Sequence, residues 1–356
     1  MPEFFTTASF TSLLDELAQQ SCEDSIAAWP HEQLKSMADA GVTSWDIPIE
    51  FGGLDLPAAE MLDGLQRLSS YCLVSTFILT QRSAAVRRIA TSNNQEAKDA
   101  LLPALLSGKI FATVGISHLT TSGQHLRQPL VQATSDGDSY VLNGTVPWAT
   151  GATQADYLIT GGALKDGRQI LAAIDTSQSG IDVQSPVELM ALNASQTGAV
   201  KLSDVRVERQ SLLHGPVEGV MQQGTGGGAG SLGTSALALG ATEGTLRNLK
   251  AECDRRPELA EFLTPLQIEC DSLTSEIKQA AVGSHPSGET AVEEIRRRAN
   301  SLVMRAAQSW LAATKGAGFV AGHLAERAVR ESMFFLVWSC PKPVLTANLR
   351  ELSCAT

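Results

Sequence analysis

The chain has 356 residues, of which 43% are hydrophobic and 18% charged, and a formal net charge of -11. That length predicts about two or three structural units with a real core. The composition excludes a disordered chain, and the charge argues against nucleic acid as the main partner. Six cysteines (Cys22, Cys72, Cys253, Cys270, Cys340, Cys354) form no CxxC pair, which speaks against a metal site and against a secreted disulfide scaffold. The first residues lack a basic start followed by an apolar core. The longest strongly apolar run, Met333 to Trp338, is far too short for a membrane span. A cytoplasmic protein with reduced cysteines is the expectation.

In chain order, the first hundred-odd residues read as helices. Leu13, Leu14 and Leu17 form a short stripe. Leu34, Met37 and Ala38 precede Gly41, a common helix stop. A break at Ile47–Gly53 is followed by Met61, Leu62, Leu65 and Leu68 at helical spacing, then by Val74–Ile89. The stretch from Leu101 to Leu106 ends at Ser107-Gly108. Near Phe111 the texture turns to short β-rich runs: Ile110–Ile116, Tyr140–Leu142, Tyr157–Thr160, Ile170–Ile174 and Ala199–Val207. Asp136-Gly137, Asn143-Gly144 and Asp166-Gly167 mark expected hairpin turns. Gly224–Gly230 reads as a joint or helix entry, because no βαβ context surrounds its glycines. Helical patterning then runs to the end, with loops near Pro257 and Gly283–Pro286. The expected architecture is therefore α+β and multidomain. It comprises an N-terminal helical domain (1–110), a central antiparallel β domain (111–215) and a C-terminal helical bundle (216–356).

Trp148 and Thr150 sit two apart, so an extended segment points both to one face. A flat aromatic beside a hydroxyl offers a platform for a flat ring system, or an ordinary half-buried strand. In the helix expected over Leu232–Cys253, Glu243 falls in the arc of Leu232, Ala236, Leu239 and Leu246, flanked by Gly240 and Gly244. Such a carboxylate is either paired with an arginine across the bundle or is a base of raised pKa. The clusters Arg87-Arg88, Arg255-Arg256 and Arg296–Arg298 read as solvated helix faces, each able to touch a phosphate.

Several further segments share one order. Ile47-Pro48 precedes Glu50-Phe51-Gly52-Gly53, and Leu142-Asn143-Gly144 precedes Trp148-x-Thr150-Gly151 with Ala155-Asp156 after it. Asp204–Val207, Gly316-Ala317-Gly318-Phe319 and Arg330-Glu331 follow. Together, from about Leu34 to Leu352, they resemble the acyl-CoA dehydrogenase family. The resemblance implies a helical–β–helical fold that binds FAD, a homo-dimer or homo-tetramer, and a small-molecule substrate such as an acyl-CoA. It implies that Trp148 packs against the flavin ring and that Thr150 bonds to it. Ser117 takes the place of a flavin-facing Thr, and Ser122 reaches the pyrophosphate. Thr120 and Thr121 are equally placed as donors. Arg256 and Gly316 retain parts of segments that grip the FAD of a neighbouring subunit, while Ala312 replaces a Gln.

The resemblance fails at the acid–base residue. Ser339 stands where most members carry the catalytic Glu, with Trp338 on its Tyr, and Gly233 stands at the alternative position. Neither residue can take a weakly acidic α-proton unaided. The replacement candidates are Glu243, then Cys340, read either as a small buried hydrophobe or as a thiolate, then His118. Three functions stay open: a diverged flavin oxidoreductase with a relocated or absent base, an acyl-CoA dehydrogenase using Glu243, and a non-catalytic binding or assembly protein.

Overall fold

The computed structural model describes residues 5, 7–20, 24–25, 27–120, 128–223, 232–285 and 291–354. Five helices come first: α1 (Ala8–Gln19), α2 (His31–Asp39), α3 (Ala58–Ser69), α4 (Leu73–Ala90) and α5 (Gln95–Leu106). The central part holds β1 (Ala112–Val114), the short α6 (Ser117–Thr120), β2 (Val131–Asp136), β3 (Ser139–Ala149) and β4 (Tyr157–Ala163). It continues through β5 (Gln169–Asp175), β6 (Ile181–Val183), β7 (Gly198–Val207) and β8 (Leu212–Val217). The C-terminal bundle is α7 (Leu232–Arg255), α8 (Ala260–Ala281), α9 (Ala291–Gly318), α10 (Leu324–Val337) and α11 (Lys342–Leu352). No helix among the described residues is long and apolar enough to cross a membrane. No His/Cys/Asp/Glu group among them has the makings of a metal site.

The sheet order is β6-β7-β3-β2-β4-β5-β8, with β1 beside β4. Two antiparallel blocks, β6-β7-β3-β2 and β4-β5-β8, meet where β2 runs parallel to β4, and β1 also runs parallel to β4. The expected antiparallel sheet is thus a mixed one. β1 arrives from α5 and leaves into α6, so its link to β4 is a crossover and not a hairpin. Two of the three expected turns are hairpins: Asp136-Gly137 joins β2 to β3, and Asp166-Gly167 joins β4 to β5. The Asn143-Gly144 turn is a correction. Both residues lie inside the continuous β3, where the register against β7 slips between Leu142 and Gly144. Gly144 has φ 139°, and a Cβ there would stand 2.1 Å from the Leu130 carbonyl oxygen. The Asn143 side chain bridges the irregularity, donating to Asp204 Oδ1 (3.0 Å) and accepting from the Asp204 amide (2.9 Å). The dipeptide that favours a turn here makes a bulge.

Three apolar clusters hold the parts together. Leu65, Leu68, Phe77 and Ile78 pack with Leu239, Leu246, Leu302 and Phe335, so the first and last helical parts share one core. Val86, Ile89 and Leu102 cover one face of the sheet through Val114, Ile159 and Leu171. Leu142, Val146, Ile170 and Leu202 belong to a third cluster, formed largely within the sheet. The α3–α7 crossing is tight because of glycine: a Cβ on Gly240 would lie 1.9 Å from Ser69 Oγ, and one on Gly244 2.5 Å from the Ser70 carbonyl oxygen. The element that these two glycines admit beside Glu243 is α3.

Candidate functional site

A cavity of about 1150 Å³ lies where α3 and α4, the sheet, and α7 and α10 meet. Its mouth carries exposed apolar side chains, Trp148 (49% exposed), Met190 and Val337. Of the residues singled out in the sequence, Ser117, Thr120, Trp148, Thr150, Gly233 and Ser339 line it. Thr121 and Ser122, like the Gly224–Gly230 joint, lie outside the described residues.

The sheet wall is built by the end of β3. A second register slip against β7, between Val146 and Ala149, turns Trp148 outward while Ala149 stays buried. Thr150 is buried, and its Oγ1 lies 3.0 Å from Thr197 Oγ1, which is 2.8 Å from Ser195 Oγ. The Thr113 hydroxyl donates to the Thr150 carbonyl (2.7 Å) and fixes the backbone from behind. Thr197 also lines the cavity. It was missing from the sequence reading because only the β3–β7 pairing, with Ala149 opposite Gly198, brings it beside Thr150. On the adjoining wall, Ser117 Oγ is buried with no hydrogen-bond partner, an expensive state for a hydroxyl that no ligand meets. His118 turns away from the cavity. Its Nε2 is 2.9 Å from the Gly161 carbonyl oxygen, and burial lowers its pKa against that bond, which leaves a neutral ring.

The opposite wall is aromatic. The rings of Phe334 and Trp338 stack at 4.9 Å, and Phe77 meets both edge-on at the same distance. Arg296, a member of an expected solvated cluster, is instead fully buried. Its Nη2 donates to the carbonyls of Phe335 (3.2 Å) and Trp338 (3.0 Å), and its Nε to Asn300 Oδ1 (2.9 Å). Burial lowers its pKa to about 10, so it stays charged at neutral pH and clamps the C-terminus of α10. Cys340 lies behind this wall and does not line the cavity among the described residues. Burial raises its thiol pKa more than the Arg296 charge lowers it, and Asn348 Nδ2 is 3.9 Å from Sγ.

Glu243 is placed elsewhere. Its Oε1 accepts from Gln66 Nε2 (2.6 Å), which also donates to Thr274 Oγ1 (2.8 Å). Its partner is therefore an amide from α3, where an arginine across the bundle was expected. Burial raises its pKa, and the Gln66 bond only partly offsets this. The cavity meets α7 at Leu232, Gly233 and Thr234, about 14 Å along the helix from Glu243 at 1.5 Å per residue. Arg256 and Gly316 share another corner of the bundle. Arg256 Nη2 bonds the Ala313 carbonyl and Glu252 (3.1 Å), one turn before the exposed Gly316.

Among the described lining residues there is no Asp, Glu, His, Lys or Cys, while Arg87, Arg88 and Arg330 are present. Arg330 is held by Glu326 (2.5 Å), by Asp24 and by the Met190 carbonyl (2.8 Å). Asp24 also accepts the Asn193 amide (2.8 Å), so one ion pair ties the N-terminal part, the β7 approach and α10 together. The cavity thus offers an indole surface, hydroxyl donors and cations, the set a flat ring with polar edges and an anionic tail requires. Those features fit a flavin.

Residues 8–109 match the family model "Acyl-CoA dehydrogenase, N-terminal domain". The chain is 27% identical over 253 residues to "Probable acyl-CoA dehydrogenase YngJ" of Bacillus subtilis, a match covering 68% of this chain and 66% of that protein. It is 24% identical over 245 residues to the human mitochondrial short-chain specific acyl-CoA dehydrogenase, covering 67% and 59%. The matched stretches therefore span less than two thirds of these relatives' length. The butyryl-CoA dehydrogenase structure from Megasphaera elsdenii superposes with a TM-score of 0.79 at 16% identity, covering 98% of both chains, and this likeness speaks for the fold.

Proposed function

We propose that this chain, which belongs to the acyl-CoA dehydrogenase family, is an FAD-dependent oxidoreductase acting on an acyl thioester or related small substrate with a relocated or absent base. The observation that carries the reading is the wall formed by Trp148, Thr150 with Thr197, and the unpartnered hydroxyl of Ser117, all on one cavity. A bound flavin would supply the two-electron acceptor. Trp148 would cover its ring, Ser117 and Thr150 would meet its polar edge, and the stacked Phe334 and Trp338 would exclude water from the opposite side. Ser339, among hydrophobic rings and with no Asp, Glu, His or Lys in the described lining to take its proton, is unsuited to take an α-proton.

The same lack of a carboxylate favours a second reading, a flavin-binding or assembly protein without turnover. Self-association is part of the proposal in either case. Phe319 (79% exposed), Val320 and Leu324 stand beside Gly316, an apolar surface suited to a second copy of the chain. A cytoplasmic setting is likewise proposed from the sequence.

The deciding experiment is the visible spectrum of the purified protein, followed by anaerobic addition of a panel of acyl-CoA thioesters. Flavin bands that bleach support the oxidoreductase. Flavin bands that no thioester or related small substrate bleaches support the binding protein. A colourless protein that takes up no added FAD overturns both flavin readings. A monomer by light scattering would remove the self-association.

A further inference from the structure

Three hydroxyls run inward from the sheet wall: Thr150 Oγ1 lies 3.0 Å from Thr197 Oγ1, which lies 2.8 Å from Ser195 Oγ. Thr150 and Thr197 line the cavity, whereas Ser195 sits outside the lining with no exposed surface. The backbone holds the trio together. The Gly151 amide donates to the Ser195 carbonyl (2.9 Å), and the Thr113 hydroxyl donates to the Thr150 carbonyl (2.7 Å). Ser195 ends a short turn, Asn193–Ser195, bracketed by Leu192 (φ 63°) and Gln196 (φ 48°). Both are non-glycine residues in the left-handed region, a strained arrangement that the surroundings must enforce. Asp24 accepts from the Asn193 amide (2.8 Å), and the Asn193 side chain accepts from the Leu189 amide (2.8 Å), so the turn is pinned.

The hydrogens available give the trio a direction. Each hydroxyl has one hydrogen to donate and can accept twice. The two contacts within the trio use two of its three hydrogens, and these hydroxyls make no other hydrogen bond among the described residues. One hydrogen is left over. On Ser195 it would be buried without an acceptor, which is costly. The remaining arrangements place it on Thr150 or on Thr197, both at the cavity. In each of them Ser195 donates to Thr197, so the buried serine turns this part of the wall into a donor. Ser117, on the adjoining wall, has no such neighbour, and its unpartnered hydroxyl is able to donate or accept.

We propose that Ser195 and Thr197 are positioning residues that fix the Thr150–Thr197 edge of the cavity as a hydrogen-bond donor. This edge takes an acceptor atom of the bound ring and disfavours a ring N–H or O–H in the same place. Naming the ring as a flavin rests on the reading above, whereas the direction of the hydroxyl trio does not.

The test uses the full chain as wild type, Ser195→Ala, Thr197→Val, Thr197→Ser and the Ser195→Ala/Thr197→Val double variant. Riboflavin binding is read by equilibrium dialysis, and stability by the urea midpoint without ligand. Thr197→Val keeps the shape and cuts the trio, so riboflavin affinity should fall about threefold to tenfold. Thr197→Ser keeps the hydroxyl and should bind within about twofold of the wild type. Ser195→Ala removes a group outside the lining, yet should weaken riboflavin by about threefold and add nothing to Thr197→Val. A merely structural role would weaken Thr197→Ser as much as Thr197→Val, or leave the two losses additive. Either result overturns the proposal, as does riboflavin affinity unchanged in every variant. Without ligand, Thr197→Val strands the Ser195 hydroxyl, so the double variant should unfold at a higher urea concentration than Thr197→Val alone. An equal or lower midpoint would mean that Ser195 has another partner, and would overturn the direction. If the wild type takes up no riboflavin, the flavin reading fails on its own, and the two midpoints alone decide whether the wall is a fixed donor.

Discussion

The two long walls of the cavity are built in opposite ways. On the sheet side, polar groups face inward with bonds left to make: Ser117 Oγ is buried without a partner, and Trp148 is half-exposed. On the α10 side the rings and the carbonyls behind them are already engaged, and the unmet group, Arg296 Nη1, is buried behind the wall. Phe77, Phe334 and Trp338 pack on one another, and Arg296 binds the carbonyls of Phe335 and Trp338 from behind. Energy stored as unmet hydrogen-bond capacity marks a surface that waits for a ligand, and a closed aromatic wall marks one that only shapes it. The acid–base group of related proteins is expected on the closed wall, at Ser339. The proposed reading is thus of a chain that holds the ring on one side and offers no carboxylate among the described lining residues.

Breaking the closed wall has the largest expected effect. Arg296→Met leaves the two carbonyls and Asn300 without their donor, and should cost about 2–4 kcal/mol in urea unfolding. Riboflavin affinity of the folded fraction should stay unchanged, since the sheet wall is intact. A matching loss of riboflavin affinity would mean that the two walls are not independent. The open wall should respond in reverse. Trp148→Ala removes an aromatic surface that supports little core, so flavin affinity should fall by about 10- to 100-fold, equivalent to about 1–3 kcal/mol, with little change in melting temperature. Ser117→Ala should weaken flavin binding by about fivefold to tenfold. It should leave the apo-protein as stable or slightly more stable, because a buried unmet hydroxyl is gone. An apo-protein destabilised by Ser117→Ala would show that this hydroxyl has a structural partner after all.

The order of helices, sheet and helices was legible because apolar spacing changes period near Phe111. The strands that escaped were those whose pattern is weak. β2 buries only Val131 and Ala133, and β8 is interrupted by Gly215-Pro216. Asn143-Gly144 misled because a strong local turn preference yields to the longer β3–β7 pairing. In the site, Trp148 and Thr150 were readable from their spacing, whereas Thr197 required knowledge of which strand lies alongside. Arg88 and Arg296 were misread for another reason. A run of arginines looks solvated in sequence, and only tertiary packing reveals which member turns inward.

The smallest expected effect lies outside both walls, at Glu243, and its sign separates the two roles weighed for it. Burial raises its pKa above the ordinary 4.5, and the Gln66 bond only partly opposes this. An acid whose folded pKa exceeds its unfolded one binds its proton more tightly when folded. The folded state therefore carries a penalty at pH above the raised pKa, and that penalty fades as pH falls toward and below 4.5. Glu243→Gln keeps an oxygen to accept from Gln66 and removes the charge. It should be about 0.5–1 kcal/mol more stable than the wild type at pH 7, and the gain should vanish near pH 4, as read by urea unfolding at the two pH values. A bundle carboxylate predicts this together with unchanged turnover on any substrate that bleaches the flavin. A displaced base predicts instead a loss of turnover of about a hundredfold or more, whatever the stability does. It would also require a proton path into the cavity, whose described lining does not include Glu243.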